Sequence, residues 1–258
     1  MSERQRATAI CAAITAALLA VPGGLGAAEL QVYAAGAVQS VALETGAQFE
    51  RDSGHRLKIA FGTVGALQGR IIASEAAEVA ILSAPSVAEL DRRSLIAAEP
   101  RTVIGTVGSG IAMKAGAPRP KIGTPEELRE TLLAARSISY GDPGCGATSG
   151  INFAGILDRM SIADAMRPKT VLVPFGIEAI ERVAKGESEF AVSQASEILS
   201  TPGVELAGPL PATLQSSTTY AATVLAARPS DAATAYVRFL ASPAVIARFR
   251  ALGFAPPG

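Results

Sequence analysis

One local arrangement recurs five times along the chain: a short apolar run ends in small residues that open directly into a helical pattern. The first runs from Leu30–Tyr33 through Ala34–Ala37 into an amphipathic segment from Val38 to Phe49. The second runs from Leu57–Phe61 through Gly62–Gly65 into Ala66–Ala73. The third, and longest, leaves Ser137–Tyr140, passes Gly141–Gly150 and enters Ile151–Met160. Thr170–Gly176 leads into Ile177–Ala184, and Glu189–Gln194 leads into Ala195–Leu199. Strands that alternate with helices predict a parallel or mostly parallel α/β sheet. In such sheets ligands gather beyond the carboxyl ends of the strands, where the following helices begin.

The chemistry of such a place follows from the helix start. Its first N–H groups have no partner within the helix, and the aligned peptide dipoles leave it partly positive. Several starts facing one crevice therefore form an anion site without lysine or arginine. The glycines at 36, 62, 65, 146, 150 and 176 are expected where backbone faces that crevice. None of the five loops carries a phosphate-loop or dinucleotide-binding spacing.

Composition removes other classes. Lysine plus arginine number 23 against 23 acidic residues, and the pI is near 6.6, so nothing draws the chain to nucleic acid. His55 is the only histidine, which excludes a multi-histidine metal centre, and no metal or cofactor is expected. Aromatic residues make up 5% with no tryptophan, too few for a sugar-stacking surface.

The N-terminus reads as a targeting segment. Arg4 and Arg6 precede an apolar stretch from Ala7 to Val21, and Gly26-Ala27-Ala28 forms a small-residue cleavage site before Glu29. A signal peptide over residues 1–28 would deliver a 230-residue mature chain to the periplasm. Cys11 would leave with the signal, so Cys145 would have no disulfide partner within the chain.

Val32-Tyr33-Ala34-Ala35-Gly36-Ala37, Phe61-Gly62-Thr63-Val64-Gly65-Ala66-Leu67, Ala115-Gly116-Ala117-Pro118-Arg119-Pro120, Tyr140-Gly141-Asp142-Pro143, Ser196-Glu197-Ile198 and Gly208-Pro209-Leu210-Pro211 follow one another in order. Together they resemble the periplasmic molybdate-binding proteins of ABC importers, a family that also includes aconitate isomerase-like proteins. The resemblance implies a type II periplasmic binding fold: two α/β lobes around a ligand cleft, with the chain crossing between them twice. Lobe 1 is expected over residues 29–108 plus 219–258, and lobe 2 over 109–218. Closure of the lobes would be a hinge motion.

The family's ligand positions do not all keep their chemistry. Two hydroxyl ligands fall on Ala37 and Val64, and the family's tyrosine falls on Gln194. Backbone contacts fall near Ser149, Gly176 and Ile177. Each missing bond to a buried oxyanion costs about 1–3 kcal/mol, which disfavours molybdate. An organic di- or tricarboxylate, whose hydrocarbon suits Ala37 and Val64, fits better.

Two function classes remain. As a monomeric binding protein, the chain would hold a small anion through Gly36, Ala37, Thr63, Val64, Arg70, Thr148, Ser149, Ile177 and Gln194 and present it to an ABC permease. As a cofactor-independent isomerase, it would interconvert cis- and trans-aconitate by proton transfer, with Tyr33, Tyr140 and Cys145 as the candidate acid/base groups. The remaining features read as structural. His55 belongs to a surface turn, and Glu178 and Glu181 complement a helix dipole. Thr124-Pro125-Glu126-Glu127 is a capping box opening a helix to Ala135, and Ser230 and Ser242 start two terminal helices.

Overall fold

The computed structural model describes residues 27–256. The expected signal segment lies outside the described residues up to residue 26. The chain begins with β1 (Glu29–Ala35), α1 (Gln39–Ser53), β2 (Arg56–Gly62), α2 (Val64–Ile72), β3 (Val79–Ser83) and α3 (Ala84–Arg92), and the long strand β4 (Ile96–Lys114) follows. Next come α4 (Pro125–Ala134), β5 (Ile138–Gly141), α5 (Thr148–Arg159), α6 (Ala163–Met166), β6 (Thr170–Val173), α7 (Gly176–Ala184), β7 (Phe190–Gln194), α8 (Ala195–Leu199) and β8 (Val204–Pro209). The return strand β9 (Ser217–Leu225) precedes α9 (Asp231–Leu240) and α10 (Pro243–Ala251).

All five anticipated junctions form as strand followed by helix, and a sixth joins β3 directly to α3. β3 is buried at every position, so it has no alternating pattern to distinguish it. Strand order is β2-β1-β3-β9-β4-β7-β5-β6, with β8 also on β4. The sheet is mixed, which corrects the mostly parallel expectation. Parallel pairing joins β1 to β2 and β3, and β5 to β6 and β7. Every pairing of β4 and β9 is antiparallel, because one carries the chain out of the first lobe and the other brings it back.

β4 serves both lobes. Its residues 96–108 pair with β9, whereas Ser109–Met113 pair with β7 and Gly110–Lys114 with β8. Each half-sheet is covered on both faces. In the first lobe, α1, α9 and α10 bury Phe49, Tyr236 and Phe249 on one side, while α2 and α3 bury Leu67, Ile71 and Leu90 on the other. In the second, Leu128, Leu132 and Phe153 form one core, and Ile180, Val183 and Ile198 form the opposite one.

Three helix starts away from the cleft are capped by side chains. Ser83, Thr124 and Ser230 cap α3, α4 and α9 by accepting hydrogen bonds from Ser86, Glu127 and Ala233 N–H groups. The capping box at α4 is displaced by one residue, because the Glu127 carboxylate accepts from Gly123 N–H at 2.9 Å rather than from Thr124. His55 departs from its expected surface position. It is 9% exposed, packs beside Phe49 and accepts from the Ala28 N–H through Nδ1 at 3.2 Å. It stands at the start of β2, the end of the sheet opposite the helix starts.

Candidate functional site

A cavity of about 150 Å³ opens where the two lobes meet. All five junctions reach it: Gly36 and Ala37 before α1, Thr63 and Val64 at α2, Thr148 and Ser149 at α5, Gly176 and Ile177 at α7, and Gln194 before α8. Gln39, Glu197 and Tyr220 complete its polar lining, while Ala35, Phe61 and Phe175 contribute apolar surface. No lysine, arginine or histidine is among the lining residues.

Several of the starts at the cavity have no side-chain cap, although Thr63 caps α2. The residues preceding α5 and α7 are Ala147 and Phe175, and neither makes a side-chain cap; the 3-10 turn at Gly36–Val38, preceded by Ala35, is likewise uncapped. Their first N–H groups are therefore left for a ligand, whereas Ser83, Thr124 and Ser230 occupy theirs. Gln194 supplies an independent sign that the cavity expects a guest. It is 2% exposed, and its amide nitrogen donates to Thr218 Oγ1 at 3.2 Å. Its buried Oε1 has no partner among the described residues.

Thr63 is less available than its sequence position implies. Its hydroxyl accepts from Ala66 N–H, capping α2, and donates its one proton to the Cys145 carbonyl of the other lobe at 2.5 Å. Beside it, Gly65 N–H donates to Gly146 O at 3.2 Å. A Cβ on Gly65 would lie 2.8 Å from Gly146 Cα, so two glycines let the lobes touch backbone to backbone. Ser196 adds a contact by donating to Ala37 O at 2.8 Å. Of the other noted glycines, 36, 62 and 176 line the cavity, but Gly150 packs against the Gly141 carbonyl.

Four candidates lie outside the lining. Arg70 reaches the Tyr33 hydroxyl at 2.9 Å and Glu75 at 2.7 Å, with its guanidinium 4.3 Å from the Tyr33 ring centre. This pairing turns it from the cleft and holds the Glu75 carboxyl below its usual range. Burial raises the Tyr33 pKa despite Arg70. Tyr140 packs edge-on against Phe153 in the core of the second lobe, and burial likewise raises its pKa, aided by Asp158 and Asp142. Cys145 is exposed, its Sγ 3.9 Å from Asp142 Oδ2.

Sequence reasoning missed Glu197. Its Oε2 accepts from the Ser193 hydroxyl at 2.5 Å, inside the cavity wall. Burial pushes its carboxyl pKa up, against the opposing pull of the Ser193 hydroxyl and the Gln194 backbone N–H. Tyr220 faces it from β9, its own pKa raised by burial and then by the Glu197 charge. In the sequence Glu197 stands inside the Ser196-Glu197-Ile198 motif. Its spacing of three residues after Gln194 in a strand-to-helix turn was the available signal.

Two α/β lobes, joined by crossing strands and enclosing a cavity at converging helix starts, define a two-lobed binding protein of the periplasmic type. The chain belongs to the bacterial extracellular solute-binding protein family, which it matches over residues 30–255. It is 28% identical over 221 residues to an aconitate isomerase from Pseudomonas sp., covering 83% of this chain and 82% of that protein. Its fold is similar to the Azotobacter vinelandii periplasmic molybdate-binding protein, with a TM-score of 0.71, 17% identity and coverage of 89% and 100% of the two chains. It is also similar to the periplasmic binding protein AfuA from Actinobacillus pleuropneumoniae, with a TM-score of 0.67, 15% identity and coverage of 88% and 83%. Among the described residues no helix is long and apolar enough to cross a membrane.

Proposed function

We propose that the protein captures a small organic di- or tricarboxylate in this cleft, in the periplasm, and presents it to an ABC permease. The lobes would comprise residues 29–108 with 219–258, and 109–218. The observation that carries this function is the set of uncapped helix starts around a cavity without lysine or arginine. Such starts accept negative charge through oriented N–H groups. The hydroxyls of Thr148 and Ser149 and the Gln39 amide add side-chain donors. Ala37, Val64, Phe61 and Phe175 present hydrocarbon, which a bare oxometallate cannot use and an organic acid can. A thermal-shift panel of cis-aconitate, trans-aconitate, citrate, molybdate, tungstate and sulfate tests this. A ligand at 100 times its Kd stabilises by about 2.7 kcal/mol. Response to a carboxylate supports capture, and response to molybdate alone overturns it.

The buried carboxyl of Glu197 favours a second function, conversion of the bound acid. A cleft meant only to hold an anion gains nothing from an ionisable carboxyl in its wall. An isomerase moving a proton next to a carboxylate requires such a group. The aconitate isomerase named above supports the same substrate class.

A further inference from the structure

Glu197 reaches the cavity because β7 ends at Gln194 and α8 turns immediately, placing the third residue of the helix against the starts of two others. Its Oε1 lies 2.8 Å from where a Gly36 Cβ would stand, and its Oε2 lies 2.9 Å from where a Gly176 Cβ would stand. Only residues without a side chain leave it that room. Ser193 fixes Oε2, while no side-chain donor among the described residues engages Oε1. One oxygen is therefore held by a side chain and the other faces Gly36 at the wall of a ligand-sized cavity that has no other carboxylate in its lining.

We propose that Glu197 is the catalytic acid/base of an allylic proton transfer in this cleft, acting through Oε1 on an unsaturated tricarboxylate of the aconitate type. The inference rests on the isomerase reading of the site. In its ionised form Glu197 removes a proton from the methylene carbon. The C–H electron pair becomes the new double bond to the central carbon. The former double-bond pair moves onto the far carbon and its carboxylate, forming a dienolate. Glu197, now protonated, returns that proton to the far carbon. The double bond has then moved to the other side of the central carbon, Glu197 is ionised again, and nothing is oxidised or reduced. The charge that develops on the far carboxylate needs preoriented donors, which the uncapped starts of α5 and α7 supply.

The groups around Glu197 set its pH response. Tyr220 faces it from β9; Ser193 and Gln194 face it from β7, with Gly36 and Gly176 at the neighbouring helix starts. Burial raises the carboxyl, so turnover should increase with pH as Glu197 ionises. Wild type, E197Q and E197D are incubated in D₂O with cis- and trans-aconitate and followed by proton NMR, with calorimetric binding in parallel. Wild type should interconvert the isomers at sub-stoichiometric protein, and deuterium should enter the new methylene position in the fraction of turnovers in which the Glu197 proton exchanges with solvent before it is returned. E197Q should bind both isomers and lose turnover by about 100-fold or more; E197D, which keeps a shorter acid, should retain part of it. Aconitate bound by wild type without turnover or exchange overturns the assignment and leaves capture standing. Full turnover in E197Q, or in both variants, also overturns it. If no carboxylate binds wild type, capture and catalysis fail together.

Discussion

Gly65→Ala should weaken ligand binding while leaving the unliganded protein as stable or slightly more so. The two effects arise at different places. Gly65 is the second residue of α2, where alanine favours helix over glycine by up to about 1 kcal/mol. Across the cleft its new Cβ would stand 2.8 Å from Gly146 Cα, which is backbone and cannot swing aside. Ordinary carbon contacts of 3.5–4.0 Å therefore require the lobes to part there by roughly 0.7–1.2 Å. The Gly65 N–H to Gly146 O bond at 3.2 Å and the Thr63 to Cys145 bond at 2.5 Å both lengthen with that separation. At about 0.5–1.5 kcal/mol each, their loss from the closed complex amounts to roughly 1–3 kcal/mol, or about 5- to 150-fold in Kd. Urea unfolding without ligand measures the first effect, and titration calorimetry with the tightest-binding of citrate and the two aconitates measures the second. An unchanged Kd together with a normal melt would refute a role for this glycine contact in closure.

Three further outcomes are expected. The double variant Ala37→Ser, Val64→Ser restores hydroxyls to two lining positions and should raise molybdate affinity by about 1 kcal/mol per new bond; calorimetry showing no gain would place those side chains out of reach of the ligand. The raised carboxyl of Glu197 adds stability below its ordinary value of 4.5 and loses it as pH rises through its folded value. Each unit of that rise is about 1.4 kcal/mol. Wild type should therefore lose stability relative to E197Q as pH climbs above 4.5, and parallel melting curves for the two would contradict the burial of this acid. Gly150→Ala would put a Cβ 1.7 Å from the Gly141 carbonyl oxygen, a backbone clash that should cost about 3 kcal/mol or more in a urea melt.

The junctions were legible because each joins two strong local signals, an apolar run and a helical period, through small residues. Eight of the nine residues put forward for the ligand lie on the cavity wall, Arg70 being the exception. Arg70 lies outside that wall because it pairs with Glu75 beyond the helix end and with Tyr33 on a separate strand, and neither pairing leaves a mark in local spacing. Tyr33 and Tyr140 end strands on the cleft side in sequence, yet their rings enter cores, because strand neighbours point to opposite faces. The use of the Thr63 hydroxyl was equally hidden, since its acceptor lies 82 residues away.

By itself, the sequence determined the five strand-to-helix junctions and excluded a multi-histidine centre, since both depend on composition and spacings of a few residues. It also carried the substitution of Ala37 and Val64 for hydroxyls. Tertiary structure alone decided that β4 and β9 run antiparallel through both lobes, and that Gly65 meets Gly146. It also decided that Glu197 is buried between two glycine-marked helix starts. Those outcomes depend on segments far apart in the chain, and the properties that matter most, desolvation and close backbone approach, exist only once the two lobes have packed together.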